Sequence, residues 1–323
     1  MTVIVPTRNE VANIGRCLDA ILANTYPVLE VLVVDGGSTD GTITVVDRYS
    51  AASEGRVRLV HNPRRTVPSA LNIGWREARG DIIVRVDGHA FVADDYIEHV
   101  VANLADGAYA GTGGRKHPVS PTDVGKVIAA AMCSRWGVGG SRYHYATSQE
   151  ESAHVPFCAY PRDVIEALGG WDERFTVNQD FEFDYRVRES GRQLLFDPEL
   201  VIHWENRTTI GDIFRQYRRY GRGKVKVARK HPASVRPRHF AAPAVLAMIA
   251  AGGVAAALGR PRTARALLIP YAGVLAIGTA STWKNVPAEQ RAYIPAAFAA
   301  MHVGWGIGFY EGVSDVLRSP RSI

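Results

Sequence analysis

Four short runs rich in β-branched residues alternate with helix-forming segments through the first ninety residues, and each run ends in a polar cluster. Residues 2–6, 30–35, 57–61 and 81–87 have the length and composition of buried strands. Residues 11–23, 42–49 and 69–79 between them have the pattern of helices. Connections this short predict consecutive strands running parallel, with helices on both faces of the sheet. An α/β fold follows, and its ligands belong beyond the carboxyl ends of the strands.

The residues at those strand ends are therefore the first candidates for a site. They are Thr7-Arg8-Asn9-Glu10, Asp35-Gly-Gly-Ser-Thr-Asp40 and Asp87-Gly88-His89. In the second cluster the glycines permit close backbone approach, while Asp40 or Ser38 suits a helix N-cap; a plain loop and cap explains it equally well. Neither a GxGxxG nor a GxxxxGK[ST] pattern is present, which excludes those dinucleotide and phosphate loops. In the third cluster an Ile/Val run ends in an acid, with an imidazole two residues later. In an extended segment both side chains share one face and address one site, and oxygen with nitrogen suits a divalent ion carrying a diphosphate. A strand-end turn with a hydrogen-bonded histidine is the alternative. Four acids, at 173, 180, 182 and 184, surround the start of another helix-like segment. Acids there also favour a helix N-terminus through its dipole, so only one need act chemically.

Composition matters where it is uneven. The 323 residues accommodate a domain of roughly 200–230 residues and an appendage. Of the 38 Lys and Arg, ten lie between Arg215 and Arg238, and no Asp or Glu occurs between Asp212 and Glu289. Such a run suits nucleic acid or anionic lipid, or simply a solvated helix. Three uncharged stretches follow, 240–259, 266–283 and 292–310, each 18–20 residues long. A helix of that length crosses a hydrocarbon core about 30 Å thick. The three cysteines are far apart with no CxxC pair, which points away from a disulfide scaffold and towards a reducing compartment. No basic-then-apolar leader precedes residue 2, so no secretory signal is expected.

Taken in order, these motifs resemble the inverting family 2 glycosyltransferases. Val3-Ile-Val-Pro6-Thr7-Arg8-Asn-Glu10 is similar to that family's first strand and nucleotide loop. Val33-Val-Asp35-Gly-Gly-Ser-Thr-Asp40 resembles its second, and Asn62-Pro63 through Pro68-Ser-Ala-Leu-Asn72-Ile-Gly74 its loop and helix before the metal strand. Asp87-Gly88-His89 occupies the place of the D-x-D motif, with His89 replacing the second acid. The segment from Gly169 to Asp180 is similar to the acceptor side, where Gln179-Asp180 stands for a Glu-Asp pair; Gln216-x-x-Arg219-Tyr220 resembles Q-x-x-R-W. The resemblance covers residues 1 to about 225 and is nearest to the succinoglycan-biosynthesis glucosyltransferase type.

The resemblance implies a GT-A fold: a Rossmann-like, mostly parallel sheet with helices on both faces, here followed by a hydrophobic helical membrane region. The implied division is a catalytic domain at 1–225, a basic juxtamembrane linker at 226–239 and the membrane region at 240–323. It implies transfer of a sugar from a nucleoside-diphosphate sugar, expected to be a UDP-sugar, to a lipid-linked or glycan acceptor. Donor binding is expected at Pro6, Thr7, Arg8, Glu10, Asp35, Asp40, Asn72, Asp87, Gly88 and Arg219. Mn²⁺ or Mg²⁺ is expected on Asp87 and His89, with Asp180 as catalytic base. Accessory or acceptor roles fall to Trp171, Asp172, Gln179, His203, Gln216 and Tyr220; core packing is the competing account of Trp171 and His203. The absence of a Trp in the last motif and the small number of apolar stretches argue against a processive synthase. With sugar nucleotides cytosolic, the basic run is expected on anionic lipids of the inner membrane rather than on nucleic acid. Arg260, Arg262 and Arg265 oppose that topology if the first two stretches both span. Two other readings are an inactive membrane-anchored sugar-nucleotide or polyanion binder and a nucleotidyltransferase. The latter calls for a glycine-rich loop after the first strand, and residues 6–10 contain no glycine.

Overall fold

The computed structural model describes residues 1–318. By packing, the chain forms two compact units: Met1–His117 with Ala146–Glu205, and Pro118–Tyr145 with Asn206–Ile323.

In the first unit β1 (Thr2–Thr7), β2 (Glu30–Asp35), β3 (Val57–His61) and β4 (Ile82–Arg85) form a parallel sheet in the order β3-β2-β1-β4. All six residues of β1 and of β2 are buried, as expected of strands paired on both edges and covered on both faces. Between the strands lie α1 (Ile14–Leu22), α2 (Thr42–Ala52) and α3 (Val67–Glu77). Helix α1 buries Ile14, Cys17, Leu18 and Ile21, a stripe at helical spacing. Helix α3 starts where the Thr66 side chain accepts the Ser69 N–H, with a proline in its first turn.

After β4 the pattern turns antiparallel. β5 (Ala90–Val92) leads into α4 (Tyr96–Leu104), β6 (Gly111–Val119) and, later, β7 (Glu150–Glu151). β8 (Tyr160–Pro161) extends the first sheet antiparallel to β4, and β9 (Leu194–Glu205) organises a second sheet, β5-β9-β6, with β7 also on β9. Helices α5 (Asp123–Met132) and α6 (Arg135–Val138) fall in the second unit; α7 (Arg162–Ala167) and α8 (Gln179–Glu189) fall in the first.

The second unit continues with α9 (Ile210–Lys230), α10 (Ala241–Ala257), α11 (Pro261–Thr282) and α12 (Ile294–Arg318). Helix α9 runs unbroken through residue 225, and the packing division comes at 205. Among the described residues two helices are long and apolar enough to cross a membrane, 237–257 and 261–285, with mean hydropathy 2.0 and 1.4. The third uncharged stretch is not of that kind. It is the first part of α12, and α12 is docked along α9 through glycines. A Cβ built at Gly304, Gly308 or Gly312 meets the Phe214, Arg218 or Arg222 carbonyl oxygen at 2.6, 1.8 or 3.0 Å. From the other side, a Cβ at Gly221 meets the Trp305 carbonyl oxygen at 2.1 Å. Beyond the apolar stretch, Glu311 and Asp315 of α12 pair with Arg218 and Arg222, so part of the basic run is neutralised within the chain.

Candidate functional site

Where β1, β2 and β4 end, the first unit has a pocket of about 160 Å³. Pro6, Thr7, Arg8, Glu10, Asp87 and His89 line it, together with Asn62, which the resemblance includes in the loop before α3, and Arg65, which sequence reasoning did not single out. Gly88 is held tight, because a Cβ there would come within 3.0 Å of Thr7 Oγ1.

Asp35 and Asp40 act on the loops that frame this pocket. The buried Asp35 carboxylate accepts the N–H groups of Gly37 and Ser38 at 2.8 and 2.9 Å, and the Ser38 hydroxyl. Asp40 accepts from Thr42 N–H at 3.1 Å and from Val11 N–H at 3.1 Å, while Asn9 Oδ1 accepts from Thr39 N–H at 2.8 Å. The two loops are thereby clasped to each other. Asn72 lies deeper in α3. It donates to the Trp171 carbonyl and Glu173, and accepts from the Trp171 N–H and Trp75 Nε1. With four bonds its amide is fully engaged.

The Asp87–His89 segment is placed by a turn, not by an extended strand. β4 ends at Arg85, and the Ala90 N–H donates to the Asp87 carbonyl at 2.8 Å. The two side chains still share the pocket. Asp87 receives a two-pronged bond from Arg85, Nε to Oδ1 at 2.7 Å and Nη2 to Oδ2 at 3.0 Å. The buried Cys17 thiol donates to the Asp87 carbonyl at 3.6 Å. His89 Nδ1 sits 2.9 Å from Glu10 Oε1. Burial opposes charge on His89, but the Glu10 bond and the Asp87 and Glu10 carboxylates outweigh it and raise its pKa above the usual imidazole value.

This donor set fits a divalent ion. Each Asp87 oxygen keeps acceptor capacity beyond its bond to Arg85, and His89 keeps its second ring nitrogen. Among the described residues no three His, Cys, Asp or Glu side chains are placed to enclose an ion. The remainder of a coordination shell therefore falls to water and ligand oxygens, the habit of ions that accompany phosphates.

The acid cluster divides cleanly. Glu173 is bonded by Asn72 and paired with Arg64; buried Glu182 is paired with Arg186 at 3.0 Å; buried Asp184 takes His154 Nδ1, the Val155 N–H and the Tyr160 hydroxyl. Asp180, in the first turn of α8, is the one of the four without an ion pair among the described residues; it accepts only the Phe181 N–H, at 2.8 Å. Burial works against its charge, yet His154, Arg85 and Lys116 together hold its pKa below the usual carboxylate range.

Of the accessory residues, Trp171 is core: 5% exposed, its ring stacked on Phe183 at 4.7 Å between centroids. Asp172 pairs with Arg174 at 2.7 Å, and Gln179 is buried at the start of α8. His203 stacks on Phe91 at 5.1 Å and meets His117 edge-on; burial, then His117 and Arg16, lower its pKa, so it packs as a neutral ring. In the second unit Gln216 is buried, accepts from Arg207 Nε at 2.9 Å and donates to the Tyr220 hydroxyl at 2.8 Å, while Arg219 is exposed on α9. Sequence reasoning missed Arg85, Lys116, His154 and Phe157. Arg85 carried a signal, a lone charge inside an Ile/Val strand; the others are brought in by tertiary packing.

Comparison with known proteins agrees with this geometry. The family described as "Glycosyl transferase family 2" matches residues 2–169. The succinoglycan biosynthesis protein ExoA of Rhizobium meliloti (strain 1021) is 28% identical over 334 residues, covering 98% of this chain and 96% of that protein. A dolichyl N-acetyl-α-D-glucosaminyl phosphate 3-β-D-2,3-diacetamido-2,3-dideoxy-β-D-glucuronosyltransferase of Methanococcus voltae is 28% identical over 242 residues, covering 71% of this chain and 74% of that one. Among solved structures, the mannosyltransferase PcManGT from Pyrobaculum calidifontis, in complex with GDP-Man and Mn²⁺, superposes with a TM-score of 0.61 at 25% identity over 97% of this chain and 87% of that one. The fold is GT-A, and the chain belongs to glycosyl transferase family 2 as a glycosyltransferase.

Proposed function

We propose that the protein transfers a sugar, with inversion, from a nucleoside-diphosphate sugar to a hydroxyl of a lipid-linked or glycan acceptor. The observation that carries this reading is the state of Asp180, an acid kept ionised among three basic side chains while its neighbours are tied to partners. As general base it takes the proton of the acceptor hydroxyl while that oxygen attacks the anomeric carbon from the face opposite the leaving diphosphate. One displacement inverts the centre, and no enzyme nucleophile is needed. Pro6, Thr7, Arg8, Glu10 and Gly88 shape the donor pocket, and Asp35 and Asp40 fix its loops. Asp87 and His89 would hold Mn²⁺ or Mg²⁺, which would supply positive charge to offset that of the diphosphate.

The donor is proposed to be a UDP-sugar; PcManGT was solved with GDP-Man, so guanosine donors belong in the same test. The proposed setting is exopolysaccharide or cell-envelope glycan synthesis at the cytoplasmic face of the inner membrane; the Rhizobium relative is named a succinoglycan biosynthesis protein, which supports the first part. Residues 1–225 would carry catalysis, 226–239 contact anionic lipid, and the hairpin of α10 and α11 anchor the chain. Purified protein screened against UDP- and GDP-sugars with and without Mn²⁺, scored for nucleoside-diphosphate release and product anomer, tests this. Release of nucleotide with a retained anomer, or no release from any donor, would refute it.

A further inference from the structure

Arg85 is a buried charge beside the donor pocket that the reaction above uses only through its effect on Asp180. It projects from β4, where its neighbours are Ile82, Ile83 and Val84, and only 8% of it is exposed. Both prongs of its guanidinium lie on Asp87, at 2.7 and 3.0 Å. Its Cζ lies 5.0 Å from the centroid of the Phe157 ring, and Lys116 Nζ is 5.1 Å from the same ring. Phe157 adopts φ 54°, a left-handed conformation that bulky residues rarely take, so the ring is held there by its surroundings. The charge of Asp180 also acts on Arg85. A planar fork of this kind matches a carboxylate on two atoms at once, which an ammonium group does not.

We propose that Arg85 is the resident counter-cation of the donor site: it occupies Asp87 between turnovers, discourages a bare divalent ion, and shares Asp87 only with an ion that arrives with a diphosphate. It is a positioning residue, and the inference rests on the reading of Asp87 as a donor-side ligand. The charges give the reason. The Asp87–Arg85 pair is neutral, so a bare dication meets a carboxylate whose charge is already offset and has Arg85 and Lys116 close by. A diphosphate brings two or more negative charges of its own. Those offset the ion and give the guanidinium an alternative anionic partner of matching geometry.

The test is Mn²⁺ binding by full-length protein in detergent, read from the electron paramagnetic resonance signal of free Mn²⁺, with no nucleotide and with UDP or GDP. Wild type should bind Mn²⁺ weakly alone and about tenfold or more tightly with nucleotide, a coupling of ordinary size. Arg85→Met should bind bare Mn²⁺ at least about tenfold more tightly than wild type and lose most of the nucleotide coupling. Arg85→Lys, which keeps the charge but not the fork, should fall between and carries the test if the Met variant does not fold. Thermal melting and circular dichroism report folding in each case. If bare Mn²⁺ binds wild type as tightly as Mn²⁺ with nucleotide, or if neither variant binds bare Mn²⁺ more tightly than wild type, the role of Arg85 is overturned. If no variant binds Mn²⁺ under any condition, the donor-site reading falls, and this inference falls with it.

Discussion

His154 and Asp184 meet at 2.6 Å, Nδ1 to Oδ2, and that bond fixes the imidazole beside the helix turn that carries Asp180. The same Asp184 carboxylate takes a backbone N–H and a tyrosine hydroxyl and is fully buried. Two acids four residues apart thus have different jobs. Asp180→Asn should leave the melting temperature within a few degrees of wild type and lower turnover by roughly 10²-fold or more. Asp184→Asn leaves buried donors poorly matched and should destabilise the fold by about 1–3 kcal/mol. Parallel melting curves and donor-turnover assays separate them; normal turnover in Asp180→Asn would reassign the base.

The pH dependence follows from the same neighbourhood. His154, Arg85 and Lys116 depress the Asp180 pKa, so its proton is already lost above the usual carboxylate range. The sign for stability is that of a lowered acid: its contribution is present above the unfolded pKa, near 4, and disappears as pH falls through the lower folded value. The acid limb of kcat/KM assigned to Asp180 should therefore lie below about pH 4. In His154→Gln it should move up, because the His154 side chain is the first of the groups that hold the Asp180 pKa down. A pH–rate profile of the two proteins, with folding checked at each pH, decides it.

At the donor pocket, Asp87→Ala should abolish transfer while the parallel sheet persists, and EDTA should silence the wild type until Mn²⁺ is restored. His89→Asp exchanges nitrogen for oxygen and should shift the preferred ion from Mn²⁺ towards Mg²⁺. Full turnover in EDTA would remove the ion from the reaction.

Much of this was readable from residue order because strand–helix alternation is local. β2 and β3 match the expected runs at both ends, and the pocket lies where parallel strands deliver their last residues. Asp87 and His89 share the pocket through a turn that periodicity does not encode. Trp171 and Asn72 illustrate the limit: a sugar-facing ring and a buried one have the same sequence, and Trp171 is buried where Asn72, 99 residues earlier, bonds both its N–H and its carbonyl. The third uncharged stretch misled for a similar reason. Its glycines lower the charge as a spanning helix would, but they are there to let α9 approach.

That approach predicts a sharp sensitivity. Gly308→Leu sets a side chain against the Arg218 carbonyl, where even a Cβ would lie at 1.8 Å, and should detach or shift α12. Gly273→Leu, in α11 with nothing within 4 Å of a Cβ, should be tolerated. Proteolysis of the two variants in detergent compares them; equal protection would mean the helices do not rely on that seam.

The same seam dictates how the two apolar helices can be removed. Helices α10 and α11 are joined by only Leu258, Gly259 and Arg260, and a Cβ at Gly252 would meet Leu268, so they fold back on one another as an antiparallel hairpin. Cutting the chain before the hairpin also discards α12 and strips the backbone of α9 of its cover. Excising the hairpin from within, and bridging residues 240 and 283 with a short polar linker, keeps the last helix on the first. The apolar hairpin is an insertion between α9 and α12, and α12 belongs with α9 rather than with the two apolar helices that precede it.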